Sequence, residues 1–324
     1  MAKHEELKLK RFPIDDHDFS NKIICLIGTR GSGKSYTMRE LIKKIIETNM
    51  PFGAVFSRSE RANKYFNKFV DDLYIFYEAN ESKLKSIINR GMEITGIIEG
   101  TRKYARELFY QRSSDIEIAQ LKEAIDKDDK DIEDKLLLTK LSEFWVTLDE
   151  SQKENLIPLI YIDPRALIIY DDCLYDKGVF KNDSMVELFM NGRHYKLTFI
   201  FAMQSPKGIT PDLRNNIDYI FLFEGCDVKK THEAYLSDKL SFKQLSAIMR
   251  KVKDYKAIVI HRTSHKELKD SIWWYKADTQ PPNIHFGSQL AHDYHDIYYH
   301  DTFNGFNTFS TEIENKKDLL EVEY

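Results

Sequence analysis

Cysteine is scarce in this chain: Cys25, Cys173 and Cys226 are the three among 324 residues, each in or beside an apolar run and none at a paired spacing. That excludes a disulfide scaffold and a thiolate zinc site, and it fits small buried residues in a reducing compartment. Glycine (13) and proline (8) are sparse as well, which excludes collagen-like and low-complexity classes. Long hydrophobic runs are missing. Leu159–Ile162, Leu167–Tyr170, Phe199–Met203 and Tyr219–Phe223 are far shorter than the ~20 apolar residues a bilayer requires, so no membrane span is expected. The opening MAKHEELKLKRF has no apolar segment and does not read as a signal peptide. No charge sign dominates either. At a net charge of −4 there is no global basic field, so any contact with nucleic acid has to come from local patches or from a pore built by several copies.

What is present is an ordinary globular composition, with 42% hydrophobic, 13% aromatic and 31% charged residues. The length suggests one large domain or two ordinary ones. Residues 1–21 are charged and weakly patterned, an arm or a peripheral strand. Apolar runs then alternate with helical stretches. Strands are predicted at Lys22–Ile27, Gly53–Phe56, Tyr74–Tyr77, Ala166–Tyr170, Leu197–Met203, Tyr219–Phe223, Ala257–His261 and Ser271–Tyr275. Helices are predicted at 35–48, 82–90, 115–125, 130–142, 181–193, 228–237 and 241–250. This alternation predicts an α/β fold with a mainly parallel sheet covered by helices. Residues 113–135 hold nine acids against four lysines and read as a solvated helical hairpin or a docking surface. After Pro281-Pro282 the pattern fades into a His-, Tyr-, Asp-, Asn- and Phe-rich stretch. The expected division is an arm at 1–21, a core at 22–280 with a charged helical insertion at about 110–145, and a tail at 281–324.

Directly after the apolar run Ile23–Ile27 comes Gly28-Thr29-Arg30-Gly31-Ser32-Gly33-Lys34-Ser35, which reads G-x-x-x-x-G-K-S and is followed by Tyr36. A buried strand, a tight glycine turn and a helix start are the setting of a phosphate-binding loop. Glycines let successive backbone N–H groups face an anion, Lys34 supplies a point charge to the β- and γ-phosphates, and Ser35 offers a hydroxyl to Mg²⁺. The following helix aims its positive end at the same anion. The scarcity of glycine elsewhere argues against a chance turn.

A second half of the site is legible downstream. Ala166–Tyr170 is a buried strand that ends in Asp171 and Asp172, the pattern of a Walker B element. Asp171 would hold Mg²⁺ beside Ser35, and Asp172 would polarise the attacking water. The bland reading is a strand ending in a polar turn. Strand Leu197–Met203 ends at Gln204, placed to sense a γ-phosphate or position water. Arg193 and Arg214 are candidates to reach a neighbouring subunit's site, and either could be an ordinary salt-bridging arginine.

With these residues the chain resembles the FtsK/HerA-type DNA-pumping ATPases, most of all the poxvirus-type genome-packaging ATPases of large eukaryotic DNA viruses and virophages. Four blocks carry the likeness: IICLIGTRGSGKSYTM, ALIIYDDCL, FMNGRHYKLTFIFAMQS and ITPDLRNNIDYIFLF, in order over about residues 20–225. The resemblance implies a RecA-like P-loop NTPase core of the additional-strand type. It implies Gln204 as the strand-tip glutamine and Arg193, eleven residues upstream, as an arginine acting in trans. It further implies ATP with Mg²⁺ as cofactors and a homo-oligomeric ring, a pentamer or hexamer. Double-stranded DNA would be the partner, driven into a preformed capsid, with a capsid or vertex protein as a second partner. Host-cell cytoplasm at a viral assembly site is the implied location, with virion association as an extension. One departure is the Asp171-Asp172 pair, where many relatives of the wider class have Asp-Glu. The shorter second carboxylate reaches less far and calls for a water relay.

Two other functions stay open on sequence: a DNA-translocating coupling ATPase or helicase not tied to a capsid, and a small-molecule phosphotransferase. Asn315-Lys316-Lys317-Asp318 matches a guanine-reading pattern but lies in a charged segment away from any strand end, and no D-x-x-G accompanies it. His292, His295 and His300, interleaved with Asp293, Asp296 and Asp301, could bind Zn²⁺ or Ni²⁺, but a solvated or docking tail is the preferred reading. His261 and His265 read as a strand end and turn. Arg250, Lys251, Lys253 and Lys256 are a modest basic cluster, better read as a solvated face than as a DNA contact.

Overall fold

The computed structural model describes residues 9–171, 178–206, 208–264, 270–278 and 284–299, apart from the side chain of residue 131. In chain order the strands are β1 (Ile23–Ile27), β2 (Gly53–Ser57), β3 (Ile75–Phe76), β4 (Ala166–Asp171), β5 (Leu197–Met203), β6 (Tyr219–Phe223), β7 (Lys256–His261) and β8 (Ile272–Lys276). The α-helices are α1 (Lys34–Ile46), α2 (Glu60–Asn63), α3 (Glu81–Arg112), α4 (Asp115–Asp126), α5 (Lys130–Phe144), α6 (Glu150–Tyr161), α7 (Asp183–Asn191), α8 (Pro211–Arg214), α9 (Val228–Tyr235), α10 (Phe242–Met249) and α11 (Gln289–Tyr298).

Among the described residues the strands form one sheet of eight, ordered β3-β2-β4-β5-β1-β6-β7-β8. It is parallel from β3 through β6 and antiparallel at β6-β7 and β7-β8. Strands buried on both faces need apolar residues at consecutive positions, which is why β1 and β6 are continuous apolar runs and β4 and β5 are interrupted only by Asp171 at an end and by Thr198. Their side chains feed two cores in alternation: Ile23, Cys25 and Ile27 enter one, and Ile24 and Leu26 the other. Full burial of each such side chain contributes about 1.5–3 kcal/mol. Every strand read from sequence is present, with ends displaced by at most one residue. The sheet also places β5 between β1 and β4, the additional-strand arrangement of a RecA-like P-loop core.

The described residues form two compact units: those up to Ile88 together with those from Arg165 onward, and Asn89–Pro164. The second unit has its own core of Ala105, Leu108, Phe109, Leu121, Leu137, Leu141, Leu148 and Leu156. Part of its acidity is neutralised internally: Arg102 pairs with Asp134 at 2.6 Å, Arg106 with Glu133 at 2.5 Å, and Lys140 with Glu117 at 2.9 Å.

Three helical expectations are corrected. The helix expected at 82–90 continues to Arg112 as α3, past Gly91, Gly96 and Gly100, which interrupt the apolar period that would reveal it. Helix α6 was not expected, because Pro158 lies inside it; a capping box between Asp149 and Gln152 sets its start. Helix α11 lies in the stretch read as a patternless tail. The segment before it is fixed to the sheet edge: Phe286 N–H donates to Phe69 O at 2.8 Å, and Ser288 N–H donates to Pro51 O at 3.0 Å. A Cβ at Gly53 would sit 2.0 Å from the Phe286 ring, so only glycine lets that ring pack there. At the other end, the arm from Leu9 on lies against β8: Phe12 N–H donates to Trp274 O at 2.8 Å and Trp274 N–H to Lys10 O at 3.0 Å. The Phe12 ring is buried among His17, Tyr219, Phe221, Trp273 and Tyr275.

Candidate nucleotide site

The loop after β1 is held by its neighbours on both sides. Gly28 N–H donates to Met203 O at the end of β5 (3.2 Å), and Thr29 N–H and Oγ1 both donate to Glu224 O just past β6 (3.4 and 3.2 Å). A Cβ at Gly28 would stand 2.6 Å from Phe223 Cβ and 2.7 Å from Ser32 Oγ, so the loop closes only over glycine. Gly31 and Gly33 adopt left-handed φ values of 75° and 103°. Helix α1 therefore starts from a glycine N-cap with no side-chain cap and no acid in its first turn. Its leading N–H groups are left for an external acceptor, and its dipole favours an anion there. Among the described residues the buried Ser32 Oγ has no hydrogen-bond partner. These features fit a polyphosphate: a glycine cradle, an uncapped helix and an orphaned hydroxyl.

Lys34 is 7% exposed. Its Nζ donates to Gly28 O (2.9 Å) and Thr29 O (2.7 Å), so the ammonium is folded back on the rim of the loop. Arg30 is exposed in the loop, and Ser35 and Tyr36 are exposed at the start of α1. Asp171 is 8% exposed at the C-terminal end of β4, opposite Ser57 of β2. One strand separates β4 from β1, so the backbone at Asp171 lies about 10 Å from that of β1, near the end that leads into the loop. Ser35 and Asp171 are oxygen donors of the kind Mg²⁺ takes. Asp172 lies outside the described residues. Gln204 is exposed and directly follows Met203, the residue that accepts from Gly28.

The two arginines are placed differently. Arg193 is exposed in the turn before β5, at the opposite end of that strand from Gln204, so it lies away from its own chain's loop. Arg214 is half-buried and engaged: its Nε donates to Ile209 O at 2.8 Å, its guanidinium lies 5.4 Å from the Tyr235 ring centre, and its carbonyl accepts from Arg262. Thus the loop, Asp171 and Gln204 gather at the C-terminal ends of β1, β4 and β5, Arg193 lies at the opposite end of β5, and Arg214 rests on Tyr235, whose Oη donates to Pro206 O at 3.2 Å just past Gln204.

Sequence reasoning missed a supporting layer. Tyr65 Oη donates to Ser35 O at 2.8 Å. Its phenol is pushed up to about 12 by burial, opposed by Arg39 and reinforced by Asp171, so Tyr65 lies within the field of the carboxylate while holding the serine's backbone. The buried Glu60 fixes this tyrosine's loop by accepting N–H bonds from Tyr65, Phe66 and Asn67 at 2.8–3.0 Å. A third support is the turn closed by Lys256 N–H to Lys253 O (3.1 Å), with Asp254 and Tyr255 both left-handed. This is type I′ geometry without glycine, and it packs on the loop: a Cβ at Gly33 would lie 2.9 Å from Tyr255 Cβ. No short-range sequence pattern marks these contacts, which join residues from separate segments.

No family model matches the chain. It is 28% identical over 305 residues to "Uncharacterized protein L437" of Acanthamoeba polyphaga mimivirus, covering 90% of this chain and 86% of that one. It is 24% identical over 266 residues to "Uncharacterized protein 088R" of Invertebrate iridescent virus 3, covering 81% and 77%. Among solved structures, B204, the DNA-packaging ATPase from Sulfolobus turreted icosahedral virus, aligns with a TM-score of 0.45 at 12% identity, covering 81% of this chain and 100% of that one.

Proposed function

We propose that this chain is a viral genome-packaging ATPase that hydrolyses ATP with Mg²⁺ and drives double-stranded DNA into a preformed capsid as a homo-oligomeric ring. The observation that carries the ATPase reading is the loop itself: a glycine cradle at Gly28, an uncapped α1 and the buried Lys34, with Asp171 ending the strand two places away in the sheet. The packaging reading rests on the four sequence blocks that resemble such motors, and relatives among large DNA viruses are in keeping with it.

In this reading the loop amides and Lys34 bind the β- and γ-phosphates, with Lys34 exchanging its two carbonyl acceptors for phosphate oxygens. Ser35 and Asp171 hold Mg²⁺, which when bound neutralises charge on the phosphates. Asp172 polarises the attacking water, and Gln204, at the tip of β5, orients it. Arg193 stands too far from its own loop to act there, so it completes a neighbour's site, and turnover needs the ring. Arg214 supports α8 and Tyr235 from within. The cellular place is the host cytoplasm at the assembly site.

The test is ATP hydrolysis by wild type and Lys34→Ala, with and without linear double-stranded DNA, over a range of protein concentrations. Turnover that rises with DNA and with concentration, and vanishes in the variant, is expected. Turnover indifferent to both would sink the motor reading and favour a phosphotransferase.

A further inference from the structure

Outside the nucleotide site, two imidazoles converge on one carboxylate at the sheet edge. His285 Nε2 lies 2.8 Å from Asp71 Oδ1, and His292 Nδ1 lies 2.6 Å from Asp71 Oδ2. The rings are 4.3 Å apart between centres, and the three ligand atoms all fall within 4.8 Å of one another. We propose that Asp71, His285 and His292 form a binding site for a divalent transition-metal cation of the Zn²⁺ class, which fastens α11 to the edge of the sheet.

Each ligand sits on backbone that is already fixed. Asp71 follows Val70, whose bridge to Phe286 places His285 alongside. His292 lies in the first turn of α11, whose start Ser288 caps through Ala291 N–H and whose backbone is held by Tyr74 Oη on Ala291 O at 2.8 Å. Ligands on pinned elements lose little freedom on binding a metal. Two imidazole nitrogens and one carboxylate oxygen suit Zn²⁺, Ni²⁺ or Fe²⁺ and are a poor set for Mg²⁺, which takes oxygen ligands. A tetrahedral zinc ion with bonds near 2.0–2.2 Å needs ligand atoms about 3.3 Å apart, so the two His–Asp spacings of 2.8 and 2.6 Å open by about 0.5–0.7 Å. As a ligand each imidazole carries its proton on the nitrogen that faces away, and the lone pair of the other nitrogen replaces its contact with Asp71. His285 is 59% exposed on its side chain, which gives the ion an entry path and leaves a fourth position for water.

His292, His295 and His300 drew attention in the sequence, but the grouping differs. His292 joins the partners Asp71 and His285, which are remote or outside that run; His295 faces Asp296 at 3.1 Å; His300 lies outside the described residues.

The test is equilibrium dialysis of the full chain against Zn²⁺ in excess Mg²⁺, which occupies oxygen sites, followed by metal analysis and by thermal unfolding with and without zinc. Wild type is expected to bind one tight zinc per chain and to unfold at a higher temperature as zinc is raised. His285→Ala removes an exposed side chain and should keep the fold by circular dichroism, yet weaken zinc binding at least about tenfold and abolish the thermal shift. His292→Ala should do the same, and Co²⁺ in wild type should give the visible absorption of a tetrahedral site, lost in His285→Ala. No tight zinc in wild type, undiminished zinc in His285→Ala, or loss of zinc in His295→Ala with retention in His285→Ala would each overturn the proposal.

Discussion

The hydroxyl of Tyr65 donates to the carbonyl of Ser35 at 2.8 Å, tying a loop fixed by Glu60 to the first turn of the phosphate-loop helix. Ser35 thus has its backbone placed before any ligand arrives. Tyr65→Phe keeps the ring packing and removes that bond. It is expected to cost about 1 kcal/mol of stability and to raise the KM for ATP more than it lowers kcat. An unchanged KM together with unchanged unfolding would show that Ser35 needs no such support.

Gly28 and Gly31 lie in one loop but are constrained differently. Gly28→Ala puts a methyl group against Phe223 and Ser32, so nucleotide binding should be lost. At Gly31 the added methyl meets nothing within 4 Å and only the left-handed φ opposes it, a cost of about 1–2 kcal/mol. Nucleotide titration of both variants checks this ordering; equal defects would mean that backbone conformation rather than space governs the loop.

If Arg193 acts on a neighbour, Arg193→Ala should bind ATP normally and lose turnover by about a thousandfold or more. Mixing it with Lys34→Ala, which is inactive but supplies the arginine, should restore part of the activity. No recovery at ring-forming concentrations would argue for a cis or purely structural role. Arg214→Ala should instead lower stability by about 1–2 kcal/mol through its lost contacts with Ile209 and Tyr235.

His261 is held down at about 4, chiefly by burial and also by His17, while Asp218 pulls the other way and Lys22 and Lys239 add smaller downward pushes. Its ring stacks on Tyr219 at 4.3 Å. The unfolded chain takes up this proton near 6.5 and the folded chain does not until about 4, so stability falls as pH drops from 6.5 towards 4. His261→Phe should make urea-unfolding profiles shallower over that window. A parallel profile would place the acid sensitivity elsewhere.

The strands were legible because a sheet buried on both faces leaves a run of consecutive apolar residues, as in Ile23–Ile27 and Phe199–Met203. The phosphate loop was legible because its glycines and Lys34 are contiguous. Gly96 and Gly100 hid most of α3, and Pro158 hid α6, since both residue types weaken a helical pattern that packing then overrides. Tyr65, Glu60, Tyr255 and the pairing of Asp71 with His292 were illegible for another reason: their meaning depends on which distant segments meet, and chain spacing carries no sign of it.

Strand β5 has seven buried residues with a parallel partner on each side; Gln204 follows one end and the Arg193 turn precedes the other. Such a strand cannot bend or slide alone, because any shift must carry both neighbours with it. Over roughly 20 Å it is a rigid spacer between those two ends. If the proposed ring forms, that spacer holds the glutamine of one site and the arginine offered to the next at a fixed separation, so a change at Gln204 reaches Arg193 only as a movement of the neighbouring strands as well.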